Sequence, residues 1–166
     1  MLSFWDRNKY KKMRFRRLTL EELEGLETEF VRFLIVNGID APAWQAMKSS
    51  QPAQADGVID LFSDFIFEGI TGKITYMEQF GGNVLRLFHC QENVISLISI
   101  EGERHFHSAE ELLQAIKVNT EQFQLKRASK AFVPDRAAEI FRMLESGATV
   151  RTSADVKWWF DVVSEI

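Results

Sequence analysis

His105 and His107 are the side chains best spaced to hold a metal ion. In an extended segment the two-residue repeat turns both imidazoles to one side. His89 and Cys90 would add a third ligand from a neighbouring hairpin, and Glu111 a fourth; zinc accepts such nitrogen, sulfur and oxygen donors. Neither a CxxC nor an HExxH accompanies them, so the competing reading is a polar strand-to-helix turn beside an unrelated thiol. His89 and Cys90 are neighbours in sequence, which on a strand sends them to opposite faces and argues against a Cys–His nucleophile pair. There is no G-x-S-x-G, no phosphate-binding glycine loop and no dinucleotide fingerprint. The expectation is a non-enzymatic protein without a cofactor, with metal-dependent catalysis at His105 and His107 as the alternative.

Asp56, Asp60, Asp64 and Glu68 recur every four residues. On a helix this makes a carboxylate ladder, and like charges at that spacing destabilise by ~0.2–0.5 kcal/mol per pair. Such a strip is kept either as a solvated face or as a docking surface for cations, from a partner or from the chain's own basic arm. Mg²⁺ and Ca²⁺ fit it poorly, because they gather oxygens around one point. Trp158, Trp159 and Phe160 place three large rings on successive helical positions, so they cannot all face one core. Either two layers clasp that helix or one ring meets a partner, as interfaces favour aromatic residues. Asp60, Asp64 and Glu68, with Trp158 or Trp159, are therefore the expected partner-binding residues, and the partner would carry positive charge.

Residues 1–17 hold seven cations against Asp6, a net of +6, whereas residues 18–166 hold 13 basic and 23 acidic side chains, a net of −10. Phe4, Trp5, Tyr10 and Phe15 interleave with the cations, a pattern that can stack single-stranded nucleic acid. An acidic body would repel phosphates and no RNA-recognition pattern accompanies the arm, so RNA contact is a further alternative and not the leading one. Residues 1–12 are expected to be a flexible basic extension.

The elements that must position these groups follow from local rules. Thr19 and Glu22 form a capping box, and apolar residues at helical spacing predict a helix over 19–37, ended at Gly38. Asp40 with Pro42 opens a short helix. After Pro52 a long helical pattern runs to about Phe80, with Gly69 and Gly72 expected at a close helix crossing and Gly81-Gly82 as its stop. The period then becomes two: Val84–Cys90 and Val94–Ile100 read as a hairpin, the second strand central. Ser108 and Glu111 predict a second capping box. Residues 122–130 read as an edge strand, Asp135 and Gly147 bracket a further helix, and Ser153 caps the last.

The fold class is thus α+β: a helical lobe over 19–80 packed with a small, mainly antiparallel three-stranded sheet flanked by helices over 83–166, in one domain from 13 to 166. Apolar residues at 46% and charged residues at 27% are ordinary for a folded chain and exclude extensive disorder. The longest apolar run, Phe33-Leu34-Ile35-Val36, is far below the ~20 residues of a membrane helix. One cysteine and no secretory pattern point to a reducing, cytoplasmic setting.

Several stretches together resemble an uncharacterised bacterial family, a domain of unknown function: Met13-Arg14-Phe15-Arg16-Arg17-Leu18-Thr19-Leu20-Glu21-Glu22, Leu61-Phe62-Ser63-Asp64 with Phe67-Glu68, and Arg136 with Glu139-Ile140-Phe141 and Glu145-Ser146-Gly147. The resemblance covers about residues 13–166 and makes Met13 an alternative start. It supplies no activity, and the leading reading is a cytoplasmic interaction or adaptor protein.

Overall fold

A computed structural model describes residues 12–164. The chain forms two compact units that part between Gly69 and Ile70.

In the first unit, α1 (Leu20–Gly25), α2 (Glu27–Val36) and α3 (Ala41–Ser50) precede the long α4 (Pro52–Lys73). The Thr19 hydroxyl accepts from Glu22 N while Glu22 accepts from Thr19 N, the full capping box. Asp40 accepts from Ala43 N at 2.8 Å to start α3. The expected single helix over 19–37 is interrupted at Leu26, whose N–H turns back to the Leu23 carbonyl. Leu34, Ile39 and Val58 form the core with Phe30, Phe33, Trp44 and Met47 around them. Phe62 is fully buried, and Phe30 meets its ring edge-on at 4.9 Å between centroids, an arrangement the ring quadrupole favours.

α4 ends at Lys73, seven residues short of the expected Phe80. Tyr76–Phe80, expected to end the helix, is instead β1. Ile70, Ile74 and Met77 satisfy helical spacing, and the five residues of Tyr76–Phe80 are too few and too irregular in burial to show the period of a strand. Gly81-Gly82 is correspondingly the turn of a hairpin and not a helix stop. Gly82 has φ +80°, and a Cβ there would lie 2.6 Å from His105 Nδ1, so glycine is required twice over. Gly69 and Gly72 face open space, not a close crossing.

The second unit holds one antiparallel sheet of five strands, not three, in the order β4-β3-β2-β1-β5. β2 (Val84–Cys90), β3 (Val94–Gly102) and the edge strand β4 (Phe123–Ala131) lie where the hydrophobic pattern placed them. β1 and β5 (Thr149–Arg151) are the additions. β5 is three residues long, too short to show a period, and pairs with β1 through Tyr76↔Arg151 and Glu78↔Thr149.

Helices α5 (Ala109–Val118) and α7 (Ser153–Ser164) cover one sheet face. There Leu112, Leu113 and Ile116 meet Leu85, Leu87 and Ile100, and Val156, Trp159 and Val163 complete the cluster. The other face packs Met77, Cys90 and Ile95 against Ile140 of α6 (Arg136–Glu145). Ser108 caps α5 by accepting from Glu111 N at 3.1 Å, but Glu111 reaches back one residue further than a capping box requires, to His107 N at 2.7 Å. α7 is capped by Thr152, one residue before the expected Ser153: its hydroxyl accepts from Asp155 N and Asp155 accepts from Thr152 N. Among the described residues no helix is long and apolar enough to cross a membrane.

Trp159 is 3% exposed within the first cluster. Trp159→Ala is expected to cost ~3–5 kcal/mol in urea unfolding. Gly69→Ala and Gly72→Ala, on open helix surface, are expected to raise stability by up to about 1 kcal/mol each.

Candidate functional site

The carboxylate ladder lies on α4, and the chain's own residues 14–18 occupy it. Asp64, 6% exposed, accepts the Arg14 N–H on both oxygens at 3.0 and 2.9 Å and the Phe15 N–H at 3.0 Å. Ser63 continues the row, its Oγ accepting from Leu18 N at 3.1 Å. Around these main-chain bonds the side chains pair: Arg14 Nη1 with Glu68 at 2.5 Å, Arg17 Nε with Asp60 at 2.6 Å, and Arg17 Nη1 with Asp56 at 3.3 Å. Arg16 turns the other way. It forms two 2.8 Å bonds to Glu22 and lies over the Phe67 ring at 4.8 Å. Those bonds from Arg16, then the Thr19 N–H, hold the Glu22 carboxyl down to about 2. Its folded value lies below the ordinary 4.5, so this contribution is complete above the unfolded value and fades as pH falls towards 2.

The arm's Phe4, Trp5 and Tyr10, and its cations up to Lys11, lie outside the described residues, as does the Trp158 side chain. Trp159 is a core residue with the Arg151 guanidinium 5.5 Å from its ring centroid. Arg151 in turn pairs with buried Glu78 at 3.0 Å.

The histidines do not meet the other candidate ligands. His105 and His107 are exposed on either side of buried Phe106. Cys90, 2% exposed, belongs to the opposite sheet face, where burial pushes its thiol up to about 11 against the pull of Arg136. His89 points to the face covered by α5 and α7, its ring stacked on Tyr76 at 4.6 Å. Among the described residues no group of three or more His, Cys, Asp or Glu side chains could hold a metal ion.

The feature that local spacing could not reveal is the pair of recesses beside β4. This nine-residue strand closes one edge of the sheet, and Lys126 through Ala131 are all exposed. A groove of about 270 Å³ opens on one side of it, floored by Phe88, Ile95 and Leu97 and bounded by Met143. A cleft of about 620 Å³ opens on the other, with Leu87, His89, Ile98 and Arg127 in its lining. Lys126 lies 3.9 Å from Glu101 and Lys130 2.5 Å from Glu139, whereas Arg127 Nη2 donates to the Val163 carbonyl at 3.0 Å. Burial opposes the charge on Glu139, yet the Lys130 and Val133 donors outweigh it and lower its pKa.

The chain belongs to a family of unknown function (DUF6495), whose profile matches residues 13–164. The match begins at the Met13 that opens the recognised N-terminal stretch. No curated protein and no solved structure matches it.

Asp64→Ala would leave the Arg14 and Phe15 amides without their acceptor and is expected to cost ~2–3 kcal/mol. Asp56→Ala removes only an exposed ion pair and should stay within about 0.5 kcal/mol. Thermal unfolding of the two variants side by side measures the contrast.

Proposed function

We propose that the protein is a non-enzymatic interaction module that docks an extended segment of a partner protein along β4. The observation that carries this reading is the open strand edge with a recess on each of its two faces. An edge strand presents a row of main-chain donors and acceptors, the template for strand addition. In that binding mode main-chain bonds supply affinity, and recesses for alternate side chains supply specificity. β4 offers both.

The chemistry of the two faces defines the partner. Phe88, Ile95, Leu97 and Met143 call for apolar side chains. Arg127, on the opposite face, calls for acidic ones, whereas Lys126 and Lys130 are already paired with Glu101 and Glu139. The fitting occupant is an extended segment in which apolar and acidic residues alternate. A cationic partner at Asp60, Asp64 and Glu68 would first have to displace Arg14, Arg17 and the main chain around them. The β4 edge has no such competitor among the described residues.

A peptide of alternating valine and glutamate, titrated into ¹⁵N-labelled protein, is expected to shift the amides of Phe123–Ala131 and slow their hydrogen exchange. Arg127→Glu should weaken it by about tenfold, equivalent to 1.4 kcal/mol, and the loss should shrink at high salt. The counterpart with lysine for glutamate should bind the wild type poorly. Equal binding of the two peptides, or shifts confined to other elements, would remove the basis for strand docking.

A further inference from the structure

The cleft beside β4 has a second property, visible only in the register of the sheet. Successive pairings place His89 opposite Ser96 and Ser96 opposite Ser129, so one rung crosses β2, β3 and β4 with an imidazole and two hydroxyls. The next rung, Leu87 opposite Ile98 opposite Arg127, ends in a guanidinium. The rung beyond, Leu85, Ile100 and Leu125, is wholly apolar and belongs to the core. Neighbouring strands lie ~4.8 Å apart and alternate residues ~6.8 Å apart, so these four polar groups converge within one small-molecule length. Leu87, Ile98 and Val163 supply apolar wall, and among the described residues no Asp or Glu lines the cleft.

We propose that this cleft binds a small organic anion, with Arg127 holding the charged group, Ser96 and Ser129 lending hydrogen bonds beside the His89 ring, and the apolar wall taking a short hydrocarbon tail. Its volume of about 620 Å³ falls within the 300–1,000 Å³ typical of ligand sites, which join apolar lining to a few placed polar groups. Two of those groups are held in place. The His89 ring is stacked on Tyr76, and Arg127 is tethered through one bond to the Val163 carbonyl, while a guanidinium carries five N–H donors. The charge is placed selectively, because the body around it, residues 18–166, is net −10. The inference shares Arg127 with strand docking but does not depend on it, since a small anion needs no strand edge.

Three probes separate the contributions: hexanoate carries charge and tail, inorganic phosphate charge alone, and hexanol tail alone. In ¹⁵N-detected titrations hexanoate is expected to saturate shifts at Leu87, His89, Ser96, Ile98 and Arg127. Phosphate should shift Arg127 more weakly, and hexanol should shift none of them. Tighter binding of phosphate than of hexanoate would keep the anion site and assign it to phosphate esters. Arg127→Gln should weaken hexanoate about tenfold, as expected for a lost charge-assisted pair. Ser129→Phe, at an exposed position, plugs the cleft and should abolish hexanoate binding. Hexanol binding as well as hexanoate, an unchanged affinity in Arg127→Gln, or no shift up to about 10 mM, well above the millimolar level that corresponds to −4.1 kcal/mol, would overturn the proposal.

Discussion

The Arg136 guanidinium donates to four main-chain carbonyls: Thr71 at 2.7 Å, Ile74 at 2.5 Å, Cys90 at 3.2 Å and Gln91 at 2.9 Å. Two of these belong to the end of α4 and its exit, where the last carbonyls of a helix have no partner of their own and where the helix dipole favours a cation. The other two lie at the end of β2. One side chain therefore fixes where the helix stops, where β1 can begin and how the β2–β3 turn is held. It stands in the first turn of α6, so it also anchors the helix that covers the second sheet face. The position of β1 next to β2 is reinforced by the Cys90 N–H, which donates to the Thr75 carbonyl at 2.7 Å.

The first unit meets the complementary problem with the opposite charge. Residues 14–18 are not part of a sheet, so their amides need acceptors from elsewhere. Buried Asp64 and Ser63 provide them. A cation collects stranded carbonyls in one unit, and an anion collects stranded N–H groups in the other. Both meet the requirement that main-chain polar groups removed from water find partners. The ladder's like-charge cost is thereby offset by the arginines lying along it.

What the sequence revealed was what is local. Thr19, Asp40, Ser108 and Asp135 cap helices through bonds to residues three positions away, and each was readable from spacing alone. The hairpin and the β4 edge were readable from the change to a two-residue period. Tyr76–Phe80 was not, because its periodicity is ambiguous and the residue that decides it, Arg136, lies sixty positions on. β5 is too short to carry a pattern. The cleft depends on Ser96 and Ser129 falling on one rung, which no single segment encodes. The separation of Cys90 from His89 across the sheet, by contrast, was already readable from the alternation along β2.

The burial of Cys90 has a practical corollary. A thiol pushed up to about 11 and 2% exposed is almost entirely protonated at neutral pH, and the protonated form is a poor nucleophile. The folded chain thus offers oxidants and alkylating reagents no ready target through its one sulfhydryl. The residue becomes reactive when the second sheet face opens, and because its carbonyl is among those Arg136 holds, its modification rate is a natural gauge of how often that part of the sheet breathes.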